Sequence, residues 1–120
     1  MTDQTTDWAR PLVHWELRAV DPDRQRAFYA AMFNLQITEG ALYEAPAGIG
    51  SPVDGVAGHI SRFSTSGVVL YFQVRDLSES LRKAEALGGR AESEPFQFPG
   101  TPTMAVITDP EHNTIVLVQQ

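Results

Sequence analysis

The sequence predicts an α+β fold built from two βαβββ modules. A strand-like alternation, a capping Asp and a helical pattern occur in this order twice within the 120 residues. When the two halves are overlaid, Val13 corresponds to Val68 and Asp21 corresponds to Asp76. A chain of this length is typical of one domain. Repeated units of this kind stabilise one another, because each buries its sheet face against the other.

Residues 12–64 form the predicted first module, after a polar N-terminal arm at residues 1–11. The alternation of Val13–Ala19 predicts a strand with two unlike faces. Asp21 suits the N-cap of a helix. Pro22 suits the first helical position, where its missing N–H needs no partner.

The first predicted helix ends near Phe33. Its apolar residues recur at helical spacing and predict the buried face; they are Ala27, Phe28, Ala31 and Met32. Leu35–Glu44 has room for one or two short strands. The Gly- and Pro-rich stretch Pro46–Val56 predicts a loop, which acts either as a gate over a site or as a plain connection. Val56–Phe63 predicts the closing strand.

Residues 67–119 form the predicted second module. Val68–Val74 predicts its first strand, and Asp76 caps a helix over Leu77–Leu87 that ends at Gly88-Gly89. Further strands are expected at Arg90–Phe98, Thr103–Thr108 and Thr114–Val118, with turn residues at Asp109–Asn113 between the last two.

Composition excludes several classes of protein. The formal charge of −6 argues against a nucleic-acid partner. The absence of Cys excludes disulfides, thiol nucleophiles and thiolate metal sites. The N-terminal residues lack the pattern of a signal peptide, and no apolar run has the ~18 residues of a transmembrane helix. We therefore expect a cytoplasmic protein with no membrane partner.

Alternation also predicts which side chains share a face. In the first strand, His14, Glu16 and Arg18 share one face, while Val13, Trp15 and Leu17 pack under the helices. In the second module, Val69, Tyr71 and Gln73 face the site. The residues expected to pack against the helix layer are Val68, Leu70, Phe72 and Val74. In the last strand, those expected to face the site are Thr114, Val116 and Val118.

Four stretches of the sequence resemble the vicinal oxygen chelate superfamily, which includes glyoxalase I, extradiol dioxygenases and bleomycin-resistance proteins. They are the strand Val13–Leu17, the segment Asp21–Phe33, the helix end Ala84–Gly89 and the turn Asp109–Asn113. The resemblance implies a single glyoxalase-like domain at residues 12–120. In that fold the mixed sheets of the two modules form a cup, and proteins of this size form homodimers.

The resemblance also implies where metal ligands would lie. His14 occupies the first ligand position. Val69 and Val116 occupy two others, and their side chains cannot ligate a metal. The fourth position is His59 or Ser61, which have the same parity. Because a catalytic metal needs at least three donors, we expect no metal cofactor. A divalent metal held by His14 and His59, with Glu16 as a third ligand, is the alternative.

The predicted site is a small-molecule site, with a few polar groups on an apolar wall. Its ligand-binding residues are His14, Glu16, His59, Val69, Tyr71, Gln73 and Val116, together with Phe96, Phe98 and Met104 by resemblance. We expect it to bind an amphipathic or aromatic metabolite or drug. The alternative is a lyase, isomerase or dioxygenase that uses either a reduced metal site or a catalytic acid–base pair of His14 and Glu16, with Tyr71 as the catalytic electrophilic partner. Glu16 and Arg18 could also form only an ion pair, and a protein-interaction module without a ligand is a third hypothesis.

Overall fold

The computed structural model describes residues 12–33, 43–45 and 56–120. Two helices and seven strands lie in these ranges and confirm the α+β class. In chain order they are β1 (Leu12–Ala19), α1 (Pro22–Phe33), β2 (Tyr43–Ala45), β3 (Gly58–Arg62), β4 (Gly67–Val74), α2 (Leu77–Ala86), β5 (Arg90–Ala91), β6 (Met104–Thr108) and β7 (Thr114–Gln119). The predicted arm at residues 1–11, the loop at residues 46–55 and most of the strand region before Glu44 lie outside the described residues.

The chain divides into two compact units: the first comprises Val13–Leu70, and the second comprises Tyr71–Gln120 together with Leu12 among the described residues. The boundary lies within β4, whereas the sequence repeat predicts a division between residues 64 and 67. The assignment of two βαβββ modules, and the closing of their sheets into a cup, stay predictions.

In the first unit, β3 lies between β2 and β1. β1 runs parallel to β3, with Glu16 opposite His59 and Arg18 opposite Ser61. β2 pairs with β3 in the antiparallel direction. Because side chains alternate across a strand, this register places His59 and Ser61 on the same face as Glu16.

The other face of β1 and β3 forms the apolar core of this unit. Ala19 and Ile60 are each 1% exposed, and they pack with Trp15, Leu17 and Tyr29. The alternation of β1 therefore separates an apolar face under α1 from a polar face, as the sequence predicts.

Helix α1 begins as predicted but buries a different face. The Asp21 Oδ1 accepts a hydrogen bond from the Arg24 amide at 3.2 Å, which caps the helix. The predicted buried face is wrong, since Phe28 is 52% and Met32 59% exposed, and Ala27 and Ala31 are exposed as well. Tyr29 instead packs on the core. The helical spacing of these residues shows that they share a face, but only tertiary contacts decide which face is covered.

The second unit is built around α2. The Asp76 Oδ1 accepts from the Glu79 amide at 3.0 Å, and Gly88 adopts a φ of +95° just after the helix. The core residues of this unit are Val74, Leu77, Ala105, Ile107 and Leu117, with Phe72, Leu81, Ala84 and Ile115 packed against them. Both signals at the ends of α2 are local in sequence, which is why they predict the helix correctly.

Two predictions for β4 and β5 need correction. Val68 is 64% and Leu70 37% exposed, so they do not pack in the helix layer; the core around α2 includes Phe72 and Val74 of β4 but neither of these residues. The strand expected over Arg90–Phe98 is limited to Arg90–Ala91 and one bridge between Phe96 and Met104. The amides of Glu92 and Ser93 both donate to the Val106 carbonyl, which interrupts the regular pairing.

β6 and β7 pair in the antiparallel direction, with Val106 opposite Val116. The turn between them is held by Asp109, whose carboxylate accepts from the amides of Glu111 and Asn113 and from the Asn113 side chain. The hydrogen bonds from Asn113 lower the pKa of Asp109. His112 has a φ of 70° in this turn and is exposed.

Candidate functional site

A polar face on β1 and β3 carries the candidate site. β1 contributes His14, Glu16 and Arg18, and β3 contributes His59 and Ser61. All five lie within the first compact unit. The alternation that buries Trp15 and Leu17 on the opposite face directs the polar side chains here.

His59 lies between His14 and Glu16 and contacts both. Its Nδ1 is 2.7 Å from the His14 Nε2, and the two ring centroids are 4.9 Å apart with an interplanar angle of 31°. Its Nε2 is 3.6 Å from the Glu16 Oε2, an ion-pair distance. Both nitrogens of His59 therefore face groups of the protein. The structure thus places His59 between the two residues that the sequence predicts as an acid–base pair.

Glu16 is the buried anion of the site. It is 7% exposed, and its Oε2 accepts a hydrogen bond from the Ser61 hydroxyl at 2.5 Å and one from the Arg18 Nε at 3.4 Å. Burial raises the pKa of Glu16, but His59, Ser61 and Arg18 together outweigh burial and lower the pKa from 4.5 to about 2. Glu16 is therefore a carboxylate at neutral pH and acts as an acceptor, not as a proton donor.

The contacts favour one arrangement of protons on the two histidines. Since the Glu16 carboxylate can only accept, it favours a proton on the Nε2 of His59. The Nδ1 of His59 is then an acceptor, and the Nε2 of His14 is the donor to it. Glu16, His59 and His14 therefore form a continuous chain of polar contacts.

Arg18 and Phe63 lie beside this chain. The guanidinium carbon of Arg18 is 4.3 Å from the centroid of the Phe63 ring, within the range of a cation–π contact. From the sequence alone, Arg18 is expected only as a partner of Glu16, and Phe63 is not among the predicted site residues. Phe63 follows Ser61 by two residues, so strand parity is the signal that could have identified it.

The remaining predicted site residues lie on β4 and in the second unit. Val69 is 2% and Val116 3% exposed, while Tyr71 and Gln73 are partly buried. Their part in a ligand site stays a prediction.

The aromatic segment before β6 brings its three predicted residues together. Phe96 forms a bridge with Met104, and the rings of Phe96 and Phe98 have centroids 5.5 Å apart. The structure thus groups these three residues within the second unit. Ligand contact by this group stays a prediction as well.

The described residues do not fit a metal centre. In these ranges no group of three or more His, Cys, Asp and Glu side chains is arranged to hold a metal ion. His59 has both ring nitrogens directed at His14 and Glu16, and the side chains of Val69 and Val116 carry no donor atom. A metal bound by His59 would have to displace one of its two protein contacts.

None of the helices described here has the length and apolar character needed to cross a membrane.

Comparisons with solved structures show the fold. A glyoxalase/bleomycin resistance protein/dioxygenase superfamily member from Vibrio splendidus 12B01 matches with a TM-score of 0.66 and 15% identity, over 93% of this chain and 100% of the other. The Mn(II)-bound glyoxalase from Novosphingobium aromaticivorans matches with a TM-score of 0.64 and 19% identity, over 90% and 38%. Methylmalonyl-CoA epimerase from Mycobacterium tuberculosis matches with a TM-score of 0.61 and 18% identity, over 90% and 86%.

The family is shown by the sequence itself. A search among curated proteins found no significant match. The model of the glyoxalase-like domain family, however, matches residues 14–118, nearly the whole chain. Together with the structural neighbours, this match confirms the resemblance on which the sequence analysis relies. The chain belongs to the glyoxalase-like domain family of the vicinal oxygen chelate superfamily.

Proposed function

We propose that this chain binds an amphipathic or aromatic small molecule at the polar face of β1 and β3 without a metal ion. His14 is the principal hydrogen-bonding group for the ligand, and His59 and Glu16 hold it in place. A few oriented polar groups on an otherwise apolar wall are the usual composition of such a site.

The observation that carries the proposal is the double engagement of His59. Its two nitrogens lie 2.7 Å from His14 and 3.6 Å from Glu16, so a metal bound by His59 would cost it one of these two contacts. A structural neighbour is described as a Mn(II)-bound glyoxalase, which makes metal binding the natural competing hypothesis. In this chain Val69 and Val116 lie at two of the expected metal-ligand positions, and their side chains have no donor atom for a metal.

Elemental analysis of untagged protein tests this proposal directly. After incubation with Mn²⁺, Zn²⁺ or Ni²⁺ and desalting, we expect substoichiometric metal in the wild type and in His14→Ala alike. Near-stoichiometric metal that disappears in His14→Ala would contradict the proposal, because it would show that this face holds an ion.

Ligand binding is tested by thermal shift with a panel of aromatic metabolites and drugs. Binding to the folded state raises the melting temperature by mass action. His14→Ala should weaken the binding of such a compound by about 1–2 kcal/mol, roughly 5- to 30-fold in Kd, because one hydrogen bond is lost. His112→Asn is the matched control, since His112 is an exposed histidine in a turn and Asn tolerates its positive φ. An equal effect of both variants would argue against binding at this face.

Acid–base catalysis is the second candidate function, and the ionised Glu16 favours it. The ionised carboxylate of Glu16, with a pKa of about 2, contacts His59, and His59 contacts His14, so the chain orients His14 as a general base. In this version His14 removes a proton from the substrate, and Tyr71 is the predicted electrophilic partner. One structural neighbour is described as an epimerase, a reaction class that needs proton transfer.

Proton exchange in deuterated water separates the two functions. The probes are small carbon acids, such as 2-oxo acids and 2-methyl acyl thioesters, observed by NMR. An enzyme would catalyse deuterium incorporation, and His14→Ala would lower that rate by roughly 10²–10⁴-fold. A binding protein would bind compounds without accelerating the exchange. If His14→Ala and Glu16→Gln retain full exchange activity, the His14/Glu16 mechanism is excluded.

A further inference from the structure

We infer that Arg18 is the ligand-anchoring residue of the polar face and that the ligand carries a carboxylate. The inference rests on the proposed function, since it names the class of small molecule that this face binds. The sequence alone predicts no role for Arg18 beyond an ion pair with Glu16.

Two contacts hold the guanidinium of Arg18 in a defined orientation. The Arg18 Nε donates to the Glu16 Oε2 at 3.4 Å, and the guanidinium face lies 4.3 Å from the Phe63 ring centroid. Contacts on one edge and one face fix the plane of the group. A fixed guanidinium loses little conformational freedom when it binds a planar partner.

Two nitrogens of the guanidinium remain as donors. Within the described part of the chain, the contacts of Arg18 involve only its Nε and the face of its guanidinium, so Nη1 and Nη2 are left without a partner. Two parallel N–H groups of a guanidinium match the two oxygens of a carboxylate. The free edge of Arg18 is therefore suited to bidentate binding of a carboxylate.

Glu16 carries a negative charge, which would repel an anionic ligand if nothing compensated it. The Glu16 Oε2 already accepts hydrogen bonds from Ser61 and Arg18 and lies near the His59 Nε2. These donors offset the charge of the carboxylate. The Glu16 side chain is 9% exposed, while that of Arg18 is 22% exposed. A ligand would thus meet the guanidinium before the buried carboxylate.

Phe63 adds an apolar surface beside the anchor. It is 43% exposed, although the Arg18 guanidinium lies over its ring. An apolar or aromatic part of a ligand can contact this ring while its carboxylate binds Arg18.

His14 lies four residues before Arg18 on the same strand, so their Cα atoms are about 13 Å apart at a rise of about 3.3 Å per residue. The ligand class is therefore a carboxylate with an aromatic or branched apolar body.

The experiment compares acids with their uncharged amides. The probes are benzoate, phenylacetate and 4-hydroxybenzoate, each paired with the corresponding amide and titrated by NMR of the arginine Nε–H groups and the histidine rings. We expect at least one acid to bind and its amide to bind about tenfold more weakly or worse, as the loss of a charge-assisted pair predicts. One arginine signal, assigned to Arg18, should shift during the titration.

Variants assign the preference to Arg18. Arg18→Gln should remove the preference for acids, and Arg18→Lys should retain only part of it because an ammonium cannot bind in a bidentate manner. Phe63→Leu should weaken acid binding while it leaves the charge of the site unchanged. Arg82→Gln is the matched control, because Arg82 is a surface arginine of α2 paired with Glu79.

The outcomes separate this inference from the proposed function. If acids and amides bind equally well and both depend on His14, the polar face binds ligands but the carboxylate inference is wrong. The inference is also wrong if no acid binds, or if Arg18→Gln keeps the preference for acids. An arginine signal that shifts with the acids in the wild type supports it even if Arg18→Gln does not fold.

Discussion

Three donors converge on one oxygen of Glu16, and this single atom organises the polar face. Ser61 and Arg18 donate to the Oε2, and the His59 Nε2 lies 3.6 Å away. The predicted parity of β1 and β3 is enough to place these residues on one face. The sequence leaves His59 and Ser61 as alternatives for the fourth metal-ligand position, because the two have the same parity and only the register between β1 and β3 distinguishes them. In the structure both contact Glu16.

The pH dependence of stability should report the Glu16 contacts. The folded-state pKa of about 2 lies below the ordinary 4.5, so the contribution of Glu16 is present above pH 4.5 and is lost as the pH falls towards 2. At pH 7 Glu16→Gln should lower the free energy of unfolding by about 3 kcal/mol. Urea denaturation of both proteins between pH 7 and pH 2.5 measures the difference, which should shrink with acidification.

Glu79→Gln is the control for that experiment. Glu79 pairs with Arg82 on the exposed surface of α2, and such pairs contribute little to stability. Its unfolding curve should follow that of the wild type at each pH. If the difference in free energy of unfolding between Glu16→Gln and the wild type stays constant with pH, the lowered pKa of Glu16 is contradicted.

Gly58 lies where a side chain would disrupt the core of the first unit. It is opposite Trp15 in the pairing of β1 with β3, and a Cβ at this position would overlap the indole ring. Gly58→Ala should therefore displace Trp15 and weaken its hydrogen bond to the Val56 carbonyl. We expect a loss of about 1–3 kcal/mol in the free energy of unfolding, measured in urea.

Gly67→Ala is the matched substitution for Gly58→Ala. A Cβ at Gly67 would meet no atom within 4 Å. Its stability should stay close to that of the wild type. Equal destabilisation by the two substitutions would show that the effect is general to glycine in these strands and does not come from Trp15.

At the scale of elements, substitutions of Asp76 test the contribution of the α2 N-cap to stability. The Asp76 side chain accepts from the Glu79 amide at 3.0 Å, and Asp76→Ala removes that acceptor. We expect a loss of about 1 kcal/mol in the free energy of unfolding, with most of it recovered in Asp76→Asn, which keeps a capping oxygen. Chemical denaturation measures all three proteins. If Asp76→Ala is as stable as Asp76→Asn, the cap contributes nothing.

The elements that the sequence predicts well are those with local signals. Asp21 and Asp76 mark the starts of α1 and α2, and alternation locates β1 and β4 within a residue or two. The buried face of α1 and the short β5 are the failures. Both depend on contacts between elements. The buried face of α1 is set by Tyr29, which packs on the core of β1 and β3, and β5 ends where the amides of Glu92 and Ser93 share the Val106 carbonyl. Such contacts leave no periodic pattern in the sequence.

At the scale of the whole molecule, exposed apolar side chains on α1 support the expectation of a homodimer. Phe28, Met32 and Phe33 are each more than half exposed, which is unfavourable for a helix left facing water. Light scattering coupled to gel filtration should give about twice the chain mass of 13.2 kDa. Phe28→Asp combined with Met32→Asp should give the monomer mass. A wild type of monomer mass would contradict the prediction.

The parallel pairing of β1 with β3 has a consequence for how the protein folds. His14 and His59 are 45 residues apart in sequence, as are Glu16 and Ser61. Contacts of such separation form only after a long loop has closed, so they belong to slow steps of folding. A ribosome-bound chain that lacks β3 would present the Glu16 carboxylate without Ser61 and His59. The polar groups that would bind a ligand are thus assembled with the fold itself, and the histidine resonances of this pair can serve as a probe of completed folding.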